Sequence, residues 1–293
     1  MEFVSAIEDQ VRLKLRSISG IDSDGKEYSS LTTLWKKAMQ PMKIADGNKT
    51  AEWYEKANSY WDDEKNCPCS DDGVLGGYGH ITPVDIEGSR SFLSHLQSKH
   101  GVQFGRVADC GAGIGRITKN LLKCMFAQVD LVEQSHRLIT SAPAYINDGP
   151  STSAEGAHIT YIEQGLQHFA PEPNTYDIIW VQWVIGHLTD QDFISFIQRC
   201  VHGLKTPNSP TTSTTDASPP SSQGGLLILK DNVIIDPEQT FFFDKSDNSV
   251  CRHMDYLRAL LKVAQVEVVE QVKQEGFPEE LYPVYMIALR PNI

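Results

Sequence analysis

Three glycines in five residues, Gly111, Gly113 and Gly115, stand between Asp109 and Arg116 in the stretch RVADCGAGIGRITKNLL. Glycine opens backbone angles closed to other residues and lets a ligand approach the chain, and a helix starting behind such a loop offers a weakly positive N-terminus. That is nucleotide-binding chemistry. Two common versions fail on residue identity. A dinucleotide fingerprint needs glycine where Arg116 stands, and a phosphate loop needs a closing Gly-Lys-Ser/Thr that is absent. Polar residues recur where other apolar runs stop: Glu133 after VDLV, Gln164, Leu166 and Gln167 in QGLQHF, Gln182 and Trp183 after YDIIWV, and Lys230, Asp231 and Asn232 after LLIL. A carboxylate at Glu133 can accept from both hydroxyls of a ribose, and Leu166 and Gln167 can offer an adenine a face and an edge. One such residue is ordinary loop polarity; together they point to a nucleoside site.

Those residues need a scaffold. Val107–Cys110, Val129–Glu133, Ile159–Glu163, Asp177–Val181 and Leu226–Asp231 read as strands, with helices near 115–126, 135–146, 189–204 and 249–264. Such alternation gives a parallel sheet with right-handed crossovers, whose ligands bind at the carboxyl ends of the strands. The tail segments VEVVEQVKQ and LYPVYMIALR, joined through Gly276-Phe277-Pro278, add two strands expected to pair antiparallel. The predicted fold is therefore α/β and Rossmann-like: a mostly parallel seven-stranded sheet, helices on both faces and a C-terminal antiparallel strand pair.

Upstream, Val4, Ile7, Val11, Leu15 and Ile18 fall at helical spacing, and a short helix is expected near Leu31 to Met39. Residues 1–45 thus read as a helical extension on a domain spanning 46–293. Thr50 is placed to cap a helix through Trp53, Tyr54, Ala57, Tyr60 and Trp61, after which DDGVLGGYGHI is too rich in glycine for either element. Residues 206–223, rich in Ser, Thr and Pro, read as a disordered surface insertion, because the α/β alternation resumes directly after them.

At 293 residues with 40% hydrophobic content, the chain can form one large domain or one domain with an appendage. No apolar run reaches the roughly 18 residues of a membrane span, and MEFVSAIEDQVRLKLR lacks the apolar centre of a secretory signal, so an intracellular protein with no membrane contact is expected. A net charge of −12 argues against nucleic acid and suits a cationic partner. The six cysteines show no zinc-site spacing and read as free thiols, with no metal. The oligomeric state stays open, and a monomer is compatible with the sequence.

An acid followed by G-x-G-x-G is the pattern of S-adenosylmethionine (AdoMet) binding in Rossmann-like methyltransferases. Beyond that loop, DGVLGGYGHI, YDIIWVQWVIGHLTDQ, LKDN and DNSVCR closely resemble the protein α-N-terminal methyltransferases, which methylate the free amine of chains beginning Xaa-Pro-Lys. The resemblance runs from about Trp53 to Arg290, interrupted by the Ser/Thr/Pro insertion. It implies an AdoMet-dependent enzyme of the cytoplasm and nucleus acting on protein N-termini. It assigns the cofactor to Gly111, Gly113, Arg116, Glu133, Leu166, Gln167 and Gln182, with Arg116 reaching the methionine carboxylate bidentately. Glu133 stands where the family often has aspartate.

The resemblance also implies a substrate groove from Trp61, Leu75, Ile81, Trp183, Asn232, Asp244, Ser249 and Tyr282. Trp183 would wall the proline, Asn232 would hold the first residue, and Asp244 with Asp247 would meet the lysine. The residues alone would make Asp247 a cap for the helix read at 250–264. His187 and Asp247 are the implied bases, and which of them takes the proton stays open. An α-amine has a pKa near ~7.7–8.0 against ~10.4 for lysine, so a modest base suffices near neutral pH. Two other readings remain: a small-molecule N- or O-methyltransferase, and a silent AdoMet-binding scaffold docked through residues 1–45.

Overall fold

The computed structural model describes residues 7, 8, 11, 15, 17–38, 49–148, 157–207 and 224–292. Ile7, Glu8 and Val11 are helical; a hairpin follows, β1 (Gly20–Asp22) and β2 (Glu27–Tyr28), then α1 (Leu31–Ala38), α2 (Lys49–Asp62) and the single-turn α3 (Asp71–Val74). A 3₁₀ turn, Gly79–Ile81, leads into α4 (Thr82–His100) and β3 (Arg106–Cys110). The helix behind the glycine loop contains a π turn, Thr118–Leu122, and ends with Lys123–Met125. There follow β4 (Gln128–Glu133), α5 (His136–Asn147), β5 (His158–Glu163), β6 (Ile178–Gln182), a 3₁₀ turn (Ile185–His187), α6 (Asp190–Gly203) and β7 (Leu226–Ile234). The chain closes with β8 (Phe241–Asp244), β9 (Ser249–His253), α7 (Met254–Val263), β10 (Val266–Lys273) and β11 (Val284–Pro291).

Strands β5-β4-β3-β6-β7-β11-β10 form the expected seven-stranded sheet; its neighbours run parallel from β5 to β7, and β11 is antiparallel to both β7 and β10. The five parallel strands run from one side to the other of a core in which Val107, Ala108, Leu131, Ile179, Trp180 and Ile228 are fully buried. Helix starts are fixed locally: Ser135 accepts from Leu138 N at 3.2 Å, and Thr189 accepts from Asp192 N at 3.2 Å. Gly115, at φ 82°, is required by packing as well as by its turn, since a Cβ there would stand 2.6 Å from Ile146 Cδ1 and 2.9 Å from Leu131 Cδ1.

Four further strands extend this sheet beyond the seven expected. The C-terminal end of β7 pairs with β9, and the order continues through β8 and β1 to β2. The helical reading of the extension therefore holds at Ile7, Glu8, Val11 and Leu31–Ala38 and differs at Gly20–Tyr28, where β1 lies parallel to β8. Ile7, Val11, Leu15, Leu31, Leu34 and Trp35 share one core with the sheet. The helix expected over 249–264 is corrected: Ser249–His253 is strand, and the helix starts at Met254, capped by His253 rather than by Asp247. Thr50 lies inside α2 rather than ahead of it, and the glycine-rich DDGVLGGYGHI holds both α3 and a 3₁₀ turn. The insertion lies outside the described residues from 208 to 223, but its anchors meet: a Cβ on Gly224 would stand 3.2 Å from Pro207 Cδ.

Candidate functional site

A cavity opens at the carboxyl ends of β3, β4 and β6, bounded below by the glycine loop and above by Trp61, Val74 and Leu75. All seven residues assigned to a cofactor line it: Gly111, Gly113, Arg116, Glu133, Leu166, Gln167 and Gln182. Gly113, at φ 57°, turns an open backbone face toward this space, where a Cβ would touch only Val74, at 3.6 Å. Glu133 is buried, its Oε2 accepting from Gly113 N at 2.9 Å and its Oε1 from Ser135 N at 2.7 Å. Burial pushes its carboxyl up, against the pull of those backbone N–H groups. One carboxylate thus fastens the loop, with lone pairs remaining for a ribose diol.

Asp109 is buried beneath the loop, accepts from Thr118 Oγ1 at 2.6 Å, and is pushed up to about 6 by burial. Arg116, also buried, stands 2.8 Å from Asp85 Oδ2 through Nη1, yet that nitrogen has no aligned hydrogen-bond acceptor. An acid and an under-satisfied guanidinium on one cavity wall suit a zwitterionic amino-acid tail, while Ile117, Leu138, Leu166 and Val184 supply apolar cover for a base. The residues present therefore fit AdoMet. Gln182 lines the same space, although its side chain is turned to Asp85, to which Nε2 donates at 2.9 and 3.0 Å, and to Trp180, from which Oε1 accepts at 3.0 Å.

Asp85 was invisible in the sequence, as was the helix that carries it. Fully buried on α4, it binds Lys230 Nζ at 2.6 Å as well as Arg116. Lys230 is itself fully buried, and burial draws its ammonium down while Asp85 pulls it back.

Trp183 continues β6 in the left-handed region, φ 53°, an unusual conformation for a bulky residue. Its ring lies 5.4 Å from the Arg116 guanidinium and 6.1 Å from Phe277. The 3₁₀ turn beyond it carries His187, whose backbone carbonyl accepts from Trp53 Nε1 at 2.7 Å. Trp61 Nε1 donates to His187 Nε2 at 3.1 Å, and the other ring nitrogen lies 3.3 Å from the Asn248 carbonyl. This turn packs on β9, where a Cβ on Gly186 would meet Ser249 Cβ at 3.3 Å.

The β8–β9 turn brings Asp244, Asp247 and Ser249 to the His187 side of the site. Asp247 is pushed up by burial and by Asp244, and pulled down by His187 and by hydrogen bonding from Ser249. Its Oδ1 is buried without a hydrogen-bond partner. Asp244 Oδ1 accepts from Ser246 N at 2.8 Å and Ser246 Oγ at 2.6 Å, which shapes the turn. The other assigned groove residues are spread wider. Leu75 lines the cavity; Ile81 is buried at the end of its 3₁₀ turn; Asn232 faces Val284 across β7 and β11; and Tyr282 is partly exposed, its ring 6.3 Å from Phe242. All six cysteines are free, and no cluster of metal-binding side chains occurs among the described residues.

The family described as AdoMet dependent proline di-methyltransferase matches residues 49–211 and 216–290. The N-terminal Xaa-Pro-Lys N-methyltransferase 1 of Xenopus tropicalis is 41% identical over 244 residues, covering 82% of this chain and 96% of its own. Its Homo sapiens namesake is 39% identical over 242 residues with the same coverage. A solved SAM-dependent methyltransferase from Leishmania major superposes with a TM-score of 0.75 at 34% identity, over 94% of this chain and 96% of that one. With its seven-stranded sheet and glycine-loop cavity, the chain belongs to the AdoMet dependent proline di-methyltransferase family.

Proposed function

We propose that this chain transfers methyl groups from AdoMet to the free α-amine of proteins whose N-terminus reads Xaa-Pro-Lys. The names of its relatives support that substrate, and one local observation carries the chemistry: the buried, unpartnered Asp247 Oδ1 beside His187. Bound AdoMet supplies a methyl group activated on a sulfonium. The chain holds the amine, orients it and removes its proton. Trp183 offers a flat wall to the rigid proline, and Asn232 a hydrogen bond to the first residue. Asp244 and Asp247 give negative charge to the lysine, with Ser249 beside them. Leu75, Ile81, Trp61 and Tyr282 border the groove.

Asp247 is the better proton acceptor of the two candidates. His187 already accepts through Nε2 and faces a carbonyl with Nδ1, whereas Asp247 has a buried oxygen with nothing to receive. Its elevated pKa brings it nearer the ~7.7–8.0 of an α-amine, which favours proton transfer. His187 then orients the groove and tunes Asp247. Net negative charge suits a cationic protein N-terminus better than nucleic acid.

The test is direct. Purified protein, AdoMet and a synthetic Xaa-Pro-Lys peptide should give a peptide heavier by whole methyl groups, and the same peptide acetylated at its N-terminus should stay unchanged. Methylation of the acetylated peptide at lysine would overturn the reading.

A further inference from the structure

Behind Arg116 lies a charge arrangement that the reaction itself does not require. Lys230 Nζ bonds to Asp85 Oδ1 at 2.6 Å, Gln274 Oε1 at 2.7 Å, Ser89 Oγ at 2.8 Å and the Asp85 carbonyl at 3.1 Å. Gln274 is oriented by its own amide, which donates to the Glu275 carbonyl at 2.9 Å and to the Val84 carbonyl at 3.3 Å, so its oxygen must face the lysine. A carboxylate, an amide oxygen and a backbone carbonyl can only accept. Three such acceptors demand three N–H groups, which an ammonium has and a neutral amine lacks.

The buried set is therefore two cations and one anion. Asp85 divides its charge: Oδ1 serves Lys230 and Oδ2 stands by Arg116 at 2.8 Å, with Gln182 Nε2 bridging both oxygens. Arg116 meets it through one nitrogen, without an aligned hydrogen bond, where an undivided carboxylate would take it two-pronged. Lys230 and Asp85 do not line the cavity, and Arg116 does.

We propose that Lys230 is a positioning residue for the cofactor's carboxylate: by occupying Asp85 it prevents that acid from neutralising Arg116, and so keeps one net positive charge facing the amino-acid end of the cavity. This rests on the AdoMet reading above. The neighbouring Asp109 then faces the ammonium of the same tail, so the wall is charged in the reverse order of the zwitterion. Affinity for the carboxylate is set from behind, by a residue that never touches it.

The experiment compares two ligands by calorimetry: S-adenosylhomocysteine, and S-adenosyl-3-thiopropylamine, which is the same molecule without its carboxylate. The wild type should prefer the first. Lys230→Met, which lets Asp85 take Arg116 whole, should bind S-adenosylhomocysteine about tenfold or more weakly and the decarboxylated ligand within about threefold of wild type. The double variant Lys230→Met with Asp85→Asn removes one charge of each sign and should recover the wild-type preference. Equal losses for both ligands, or an unchanged preference in Lys230→Met, would overturn the proposal. So would a double variant that fails to fold, because the pair would then serve the fold rather than the ligand. A wild type that binds neither ligand would instead sink the AdoMet reading.

Discussion

Trp61 gives its indole N–H to His187 Nε2, and the other ring nitrogen, Nδ1, lies 3.3 Å from the Asn248 carbonyl, so both ring nitrogens are engaged. A histidine fixed in this way is poorly placed to receive a proton, while the carboxylate beside it has an oxygen to spare.

Asp247→Asn should accordingly lower kcat on an Xaa-Pro-Lys peptide by about a hundredfold or more, within the range for loss of a general base, and His187→Gln should cost less. The raised Asp247 pKa gives the sign of the pH effect. As pH falls through it, the carboxylate protonates and the wild-type rate drops beyond what protonation of the amine alone produces; Asp247→Asn should lose that extra drop. A steeper loss in His187→Gln, measured as initial rates by mass spectrometry, would reverse the assignment.

Asp244 is expected to act on binding alone. Asp244→Asn should raise KM for a lysine peptide several-fold with kcat retained, and should shrink its advantage over an Xaa-Pro-Gln peptide. Added salt should weaken the lysine peptide more than the glutamine one in the wild type, because the attraction is screened over about 10 Å at 0.1 M. Identical kcat/KM for the two peptides would remove the assignment.

Trp183 combines an aromatic wall with a left-handed backbone. Trp183→Gly relieves the backbone and Trp183→Ala does not, so the glycine variant should be the more stable of the two by about 1 kcal/mol, seen as a higher Tm. Both should lose peptide affinity alike. An alanine variant that melts no lower than the glycine variant would show that the wall position carries no strain.

Asp231 accepts from Ile185 N at 3.3 Å and from Asn232 N at 2.8 Å, tying β7 to the turn that carries His187, and burial pushes it up to about 7. A carboxyl raised in the folded state binds its proton there while the unfolded chain has lost it. Between about pH 4 and 7 the folded protein thus holds more protons, and stability falls as pH rises through that window. At about 1.4 kcal/mol per pKa unit, the full penalty is on the order of 4 kcal/mol above pH 7. Wild-type Tm should decline from pH 5 to pH 8, and Asp231→Asn should flatten that decline. An equal slope in both proteins would assign the effect elsewhere.

The parallel strands and the glycine loop were legible because their inner positions are apolar and their polar residues collect at one end. β9 was not, because its inward position Arg252 is a charge, buried against Asp190 at 2.9 Å; with Val250 beside it the apolar alternation disappears and the segment merges into the helix after it. α4 was hidden for a like reason: Asp85, Ser89 and His100 sit on its buried face among Ile86, Phe92, Leu93 and Leu96. The hydrophobic pattern fails where the fold buries charge, and Asp85 is such a residue. β1 gave no sign either, since three residues starting at Gly20 show no period; only contact explains the glycine, whose Cβ would lie 2.4 Å from the Phe241 carbonyl.

That last contact sets an order of assembly. Gly20 pairs with Phe241 and Thr240 Oγ1 donates to the Ser17 carbonyl, so β1 can close its hairpin with β2 early, but its other edge has no partner until most of the chain has been made. During synthesis that edge of β1 must wait while the central sheet condenses from neighbours close in sequence; closing so long a loop is entropically late and kinetically slow. A chain released before Phe241 would carry its cofactor loop complete and one edge of its first hairpin without the β8 strand that covers it.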